Sequence, residues 1–369
     1  MLNGLIDFSV KNRMLVGLSL IGLLVSAWLI LPKLNLDAFP DVTNVQVQVN
    51  TEAPGLASKE VEQLITFPVE SVMYSLPDVE EVRSISKTGL SVVTVVFKEG
   101  TNIYFAREQV FQQLQTAKEE IPSGVGTPEI GPNTSGLGQV FQYVLTTDDA
   151  KKYSSMTLRS LNDWLVKLQL LPVEGITNVL SFGGKVKQYQ VQLNPHKLLS
   201  YKVSTSDVIK AIENNNRNAG GWYLNSGDEQ LVIRGVGWLQ SGKLGIQEIS
   251  NISIKENDGI VVRVKDVAHV EFAPEIRQGA VSMTVRAKDG TPKSLGEVVT
   301  GIALKRMGAN TKATIDGIKE RLPAIQQALP KGVKIEAVYD QADLVDKAVN
   351  TVIKALIQAF VLILIILGV

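Results

Sequence analysis

The sequence predicts a membrane protein carrying an α+β ectodomain, and three observations predict it. An uncharged run of 18 residues lies near the N-terminus, a second apolar run closes the chain, and the residues between them repeat. Charge points to no partner: 37 Lys+Arg balance 37 Asp+Glu, so neither a nucleic acid nor an acidic surface is implied. No cysteine is present. Disulfides, thiolate metal ligands and a cysteine nucleophile are therefore excluded, and the absence suits an oxidising compartment.

The first run, "MLVGLSLIGLLVSAWLIL" from Met14 to Leu31, follows Lys11 and Arg13. A cleaved signal peptide shares the basic start and apolar middle. This run is longer than a signal core, and "PKLNLDAFP" offers no small-x-small cleavage site. It predicts an uncleaved transmembrane helix over 13–32, with 1–12 held in the cytoplasm by the basic flank. Trp28 suits the far interface. Residues 33 to about 340 then lie outside.

The last run, "ALIQAFVLILIILGV", has 15 residues, apolar apart from Gln358. A complete span needs about 20. Just before it, Val345, Ala348, Val349, Val352 and Ile353 fall at helical spacing. One helix over 343–369 is expected to rise from the ectodomain and begin a second span, with the stop at Val369 a truncation.

Between the runs, Val61, Leu64, Phe67, Val79, Val82 and Ser84 recur 97 positions later as Leu158, Leu161, Trp164, Ile176, Val179 and Ser181. "KEGTN" and "IPSGV" recur as "RMGAN" and "LPKGV" at an offset of 208. One unit thus occurs twice, the second copy interrupted by 111 extra residues, the difference of the two offsets.

Each element of the unit has its own signal. "VQVQV" at 45–49 alternates as a half-buried strand does. Ser58 is placed to cap a helix whose Val61, Leu64, Ile65 and Val72 share a face. "EEVRSIS" and "SVVTVVF" predict two strands meeting near Gly89. Ile103, Ala106, Val110, Leu114 and Ala117 mark a second helix. In the second copy Ile315, Ile318, Leu322 and Ile325 line the matching helix, and "VKIEAV" is the final strand. The order βαββαβ is the split-βαβ, ferredoxin-like pattern.

The insert lies between Ser181 and Val298. "KQYQVQL" predicts a strand and "SDVIKAIENNN" a short helix. In "RNAGGWYLNSGDEQLVIR", two strand-like arms flank Gly220, Gly221 and Gly227, with Trp222 and Tyr223 between, which predicts a projecting hairpin. Isolated hairpins are marginal in water. The aromatic pair serves either local packing or an inter-subunit arm.

The chain is poor in site chemistry. His196 and His269 are far apart and predicted to lie on the surface or on strands, and Met14, Met73, Met156, Met283 and Met307 follow no ligand spacing. No Walker loop, nucleophile elbow, HExxH or GxGxxG after a strand occurs. No acidic residue lies in either apolar run, so these residues supply no proton relay at membrane depth. Arg83 is the one candidate for a cleft-facing charge, against the plainer reading of a solvated strand residue. No catalytic, metal or cofactor residue is assigned.

"DAFPDVTNVQVQVNTEAPGLASKEVEQLITFPVE", "VRSISKTGLSVVTVVFKEGTN", "PEIGPNTSGLGQVFQYVL", "NNNRNAGGW", "KDVAHVEF" and "YDQADLV" resemble, in order and nearly end to end, the heavy-metal efflux branch of the resistance–nodulation–division transporters. The resemblance implies an inner-membrane pump of bacteria that works as a homotrimer with a periplasmic adaptor and an outer-membrane channel, exchanging protons for metal cations. It implies a first porter subdomain at 38–133 and a second at 134–182 and 276–339. A docking subdomain at 183–275 would send the hairpin Asn218–Arg234 into the neighbouring protomer. Family members are longer, and their metal-binding methionines and acidic relay belong to later parts. This stretch alone is then expected to be inactive. "ALKRMGAN" departs from the more apolar run usual before "GxN". An RND exporter of organic drugs and a membrane sensor with a periplasmic ectodomain are the alternatives.

Overall fold

The computed structural model describes residues 42–368 apart from 258, 278 and 288, together with Asp37 and scattered positions between 11 and 26. The expected anchor at 13–32 lies largely outside these residues, as does most of the segment 1–12. The chain divides into two compact units, one built from the described residues of 1–148, 162–182 and 300–369, the other from 149–161 and 183–299.

The first unit holds two four-stranded sheets. In the first, β1 (Gln46–Glu52), helix α1 (58–73), β2 (Val79–Lys87), β3 (Leu90–Phe97), α2 (Ile103–Glu120) and β4 (Thr127–Ile130) follow in sequence, and the sheet order is β2-β3-β1-β4. In the second, β5 (Gln139–Thr147), α3 (155–170, of which 155–161 count with the other unit) and β6 (Ile176–Phe182) are followed, after the insert, by β15 (Val299–Lys305), α8 (Thr311–Ala328) and β16 (Val333–Asp340). The order is β16-β5-β15-β6. Numbering strands within each copy, both sheets read 4-1-3-2, the ferredoxin-like arrangement the sequence predicts.

The first core is built from alternate strand residues and one face of each helix. Val47, Val49, Val93, Val95 and Phe97 meet Ile65, Val69, Met73, Val110 and Leu114, all 1% exposed or less. Burying each such side chain contributes about 1.5–3 kcal/mol before chain entropy is counted. Met73 fills core, as its helical position predicts.

The repeat has a backbone cause. Asn102 and Asn310 are the N-caps of α2 and α8: Asn102 Oδ1 accepts from Tyr104 N at 2.8 Å, and Asn310 Oδ1 from Ala313 N at 3.1 Å. Gly100 and Gly308 both take positive φ two residues earlier, where a side chain would be strained. Helix α1 is capped differently from the expectation. It starts at Ser58 with Ala57 at the cap position, and Glu60 Oε2 reaches back to accept from Ala57 N at 2.9 Å.

Each first helix contains one π-helical turn, Glu62–Thr66 in α1 and Asn162–Val166 in α3. Each turn carries a buried polar residue toward the sheet. Thr66 Oγ1 lies 2.8 Å from both Ser86 Oγ and Ser91 Oγ, and Asn162 Nδ2 donates to Ser181 Oγ at 2.8 Å. The wide turn lets a polar side chain enter a core without losing its partners.

The second unit contains β7 (Lys187–Leu193) paired with β12 (Ala268–Pro274), α4 (Pro195–Tyr201), α5 (Thr205–Asn214), the hairpin β8 (Ala219–Ser226) and β9 (Glu229–Gly235), α6 (Lys243–Asn251), β10 (Ser253–Asn257), β11 (Ile260–Arg263) and α7 (Val264–Val267). A further ribbon pairs β13 (Ser282–Arg286) with β14 (Pro292–Glu297). This refines the boundary read from the sequence, where the second repeat resumes at 276. Its sheet resumes at Val299, because "SMTVR" and "PKSLGE" pair with each other across the turn at Asp289–Gly290 rather than joining the sheet.

A single helix, α9 (Gln341–Gly368), ends the described chain. Among the described residues, no helix is long and apolar enough to cross a membrane.

Candidate functional site

The GPNTSGLG loop, 131–138, links the two repeats and is fixed by close backbone approaches. Gly131 N donates to Gln48 O at 2.8 Å, Thr134 Oγ1 donates to Lys305 O at 2.8 Å, and Lys305 N donates to Gly138 O at 2.7 Å. A Cβ on Gly138 would stand 1.9 Å from Thr134 Oγ1 and 3.1 Å from Lys305 O, so only glycine fits.

A cleft of about 790 Å³ opens beside this loop. Asn50 on β1 sits opposite Glu129 on β4, and Glu52 opposite Thr127, so alternation presents all four on one face. Arg107 of α2 closes one side, donating from Nη1 to Gly131 O at 2.8 Å. Burial pulls the Arg107 guanidinium below its usual range. Asn133, Thr177 and Asn178 complete the wall. Asn133 is 8% exposed and its Oδ1 has no hydrogen-bond partner.

A second cleft, of about 570 Å³, is lined by Tyr104, Glu174 and Gly175 on one side and by the β15–α8 loop, Arg306–Asn310, with Ala313 and Thr314 on the other. Gly175 takes positive φ, and a Cβ there would stand 2.0 Å from Thr314 Oγ1.

The first cleft is mainly polar and the second evenly polar and apolar, and both are of mixed charge. Among the described residues no three His, Cys, Asp or Glu side chains converge as metal ligands.

Arg83, the predicted cleft charge, lies elsewhere. It is exposed on edge strand β2, opposite Thr94, and donates from Nη2 to Gln46 Oε1 at 3.1 Å on the outer sheet face. It lines neither of the two clefts described. His196 is exposed on α4, and His269 is exposed on β12 beside Glu271, 3.6 Å away.

The hairpin is where the sequence predicts it. Its arms join through Gly227–Asp228, with Gly227 at φ +62°. Asn218 Oδ1 accepts from Gly237 N at 3.1 Å and closes the base. Gly220 faces Arg234 across the ribbon, and Gly221 lets the arms close, since a Cβ there would meet Ile233 O at 2.7 Å. Trp222 and Tyr223 meet edge to face at 5.9 Å, and Trp222 is 83% exposed. Every residue of both arms is exposed.

Sequence reasoning passed over Lys305 and Asp37. Lys305 is 5% exposed, and its Nζ lies 3.0 Å from Asp37 Oδ1, which also accepts from the Thr311 hydroxyl. The signal was the odd "ALKRMGAN", a charge in a run expected to be apolar.

The described residues thus combine a doubled ferredoxin-like fold, an inserted unit, two clefts beside the repeats and a final helix that ends in apolar residues. The chain belongs to the AcrB/AcrD/AcrF family, whose pattern it matches over residues 5–369; this is the resistance–nodulation–division class. It is similar to protein HelA of Legionella pneumophila, 39% identical over 371 residues covering 100% of this chain and 34% of HelA. It is 38% identical over 373 residues to the cation efflux system protein CzcA of Alcaligenes sp. (strain CT14), with the same coverage of each. It is 33% identical over 366 residues to the cation efflux system protein CusA of Escherichia coli (strain K12), covering 98% of this chain and 33% of CusA. A crystal structure of a heavy metal efflux pump superposes with TM-score 0.79 and 31% identity, over 96% of this chain and 34% of that one. The chain thus spans about a third of the length of the relatives it matches.

Proposed function

We propose that this chain forms the N-terminal part of a proton-driven inner-membrane pump that exports heavy-metal cations. The observation that carries the reading is extent: the likeness to a cation efflux protein spans 100% of this chain in sequence, and the likeness to a heavy metal efflux pump spans 96% of it in structure. In this reading 13–32 is the first transmembrane helix, α9 begins the second, and residues about 33–340 are periplasmic, with the N-terminus cytoplasmic. The two sheets at 38–133 and 134–182 plus 276–339 act as porter subdomains, and 183–275 as the docking subdomain. The pump works as a homotrimer joined to a periplasmic adaptor and an outer-membrane channel, its hairpin seated on the neighbouring protomer. The metal is cargo passing the clefts, not a resident cofactor, and the lipid bilayer is the remaining partner.

The test is expression of the full reading frame in a pump-deleted, metal-sensitive strain. Restored growth on zinc, cobalt, cadmium, nickel, copper or silver is expected, lost on dissipating the proton gradient. Resistance to dyes without resistance to any metal would overturn the reading in favour of an organic-drug exporter. No resistance of either kind, with a phenotype in gene expression instead, would favour a membrane sensor.

A further inference from the structure

Both segments that border the apolar runs are ion-paired to one βα unit. Lys305 ends β15, and Lys312 and Lys319 follow at seven-residue intervals along α8. Lys305 holds Asp37, ahead of β1. Lys312 Nζ lies 2.9 Å from Asp346 Oδ1 on α9 and 3.4 Å from Asp316 on its own helix. Lys319 pairs with Asp340, whose Oδ1 also accepts from Ala342 N at 2.9 Å and so caps the start of α9.

The spacing of these pairs gives them a mechanical meaning. Seven residues of α8 run about 10 Å, and the six from Asp340 to Asp346 on α9 run about 9 Å in the opposite sense, so the two pairs stay in register. One ion pair is a pivot; two at separate heights fix an angle. Between them Ala342 and Val345 are buried, at 0% and 2% exposure. From Asp346 the helix runs on to Gly368 for about 33 Å, so a tilt of about 5° at the clamp carries its far end about 3 Å.

The same unit borders both clefts. The loop between Lys305 and Lys312 forms one wall of the second cleft. Near the first, Thr134 donates to Lys305 O, and Met307 N donates to Asn133 O at 3.3 Å.

We propose that Lys312 and Lys319 are positioning residues that lock α9 to α8, so that displacement of α9 is passed to the β15–α8 loop and changes the width of the second cleft. Lys305–Asp37 ties the segment ahead of β1 to the same block. The inference rests on the reading of α9 as a membrane-entering helix, yet its test does not depend on transport. A failed resistance assay would leave it standing, and a failed clamp would leave the pump reading standing.

These 369 residues hold no cysteine, so site-directed spin labels can be placed in the full reading frame in lipid nanodiscs once any cysteine beyond them is replaced by serine. One label pair, at Glu320 and Gln358, reports the α8–α9 angle; another, at Tyr104 and Ala313, spans the second cleft. Narrow distance distributions are expected for both. Replacing Lys312 and Lys319 by Met should broaden both about twofold, since the helix then samples several tilts. The exchange Lys312→Asp with Asp346→Lys, on an otherwise unaltered clamp, should keep both narrow, whereas Lys312→Asp alone should not. Unchanged width in either pair after the double Met replacement would overturn the proposal. So would broad distributions in the exchanged variant when circular dichroism shows it folded.

Discussion

Tyr143 donates its phenolic hydrogen to Asn162 Oδ1 at 2.8 Å, with both residues fully buried. The chain of bonds continues from Asn162 Nδ2 to Ser181 Oγ at 2.8 Å, and from Ser181 Oγ to Asp163 Oδ1 at 2.5 Å. Burial pushes the Tyr143 hydroxyl far up from its ordinary range and the charge of Asp163 adds to it, so the group stays a neutral donor. The π-turn of α3 supplies Asn162, and β5 supplies Tyr143.

Tyr143→Phe is expected to destabilise the chain by about 1–3 kcal/mol, because Asn162 Oδ1 is left buried without its donor. Gly301→Ala should cost a similar amount, about 1–3 kcal/mol, by overpacking. A Cβ there would stand 2.0 Å from Tyr143 Cζ and drive the ring off its partner. Urea unfolding of the two single variants and the double variant measures both effects. Their sum should exceed the double-variant cost, since both break one bond.

Asp37→Ala should destabilise by about 3 kcal/mol, the scale for stranding a buried charge. It leaves the Lys305 ammonium, 5% exposed, without the carboxylate that pairs with it. Lys305→Met combined with Asp37→Leu should recover most of the loss. Denaturant midpoints that do not move with Asp37→Ala would show the pair to be idle.

Alkaline pH should loosen the α8–α9 contact. The Lys312 ammonium is held above its usual range by its hydrogen bond to Asp346, and that of Lys319 by its hydrogen bond to Asp340. A raised folded value means the stabilisation is fully present below the ordinary lysine range and is lost as pH climbs through the raised values. Both side chains are about a third or more exposed, so the effect is small, about 1 kcal/mol or less. Thermal unfolding between neutral and strongly alkaline pH should show a decline that the double Met replacement at 312 and 319 reduces.

Deleting Ala219–Ser226 should abolish trimers of the full reading frame in detergent while leaving a folded protomer. Removal of these exposed residues opens no core. Light scattering of the purified variant decides it, and an unaltered trimer mass removes the hairpin's proposed role.

Arg83→Ala should change stability by no more than about 0.5 kcal/mol, as for an exposed residue outside special features. It loses one hydrogen bond to Gln46 on a solvated sheet face. A larger loss in urea unfolding would return Arg83 to consideration as more than a surface group.

Much of the architecture was legible because it rests on local rules. The matched "GTN" and "GAN" segments record two N-caps after positive-φ glycines, and alternation in "VQVQV" marks a strand with one wet face. The sequence bracketed the insert between Ser181 and Val298 but could not choose within that range, because "SMTVR" alternates as well for a separate ribbon as for a sheet strand. The clefts were hidden for a related reason: Asn50, Arg107, Glu129 and Asn178 come from four elements, and no spacing in the chain connects them.

By itself, then, the sequence determined the doubled βαββαβ units, the insert between them and the hairpin, since periodicity, caps and turn glycines act over a few residues. The tertiary structure decided which charges matter. It sent Arg83 to solvent and buried Lys305 beside Asp37 across 268 positions of chain. It also set Lys312 and Lys319 against α9. Coulombic and desolvation energies depend on burial and distance in space, and neither is written in the order of residues.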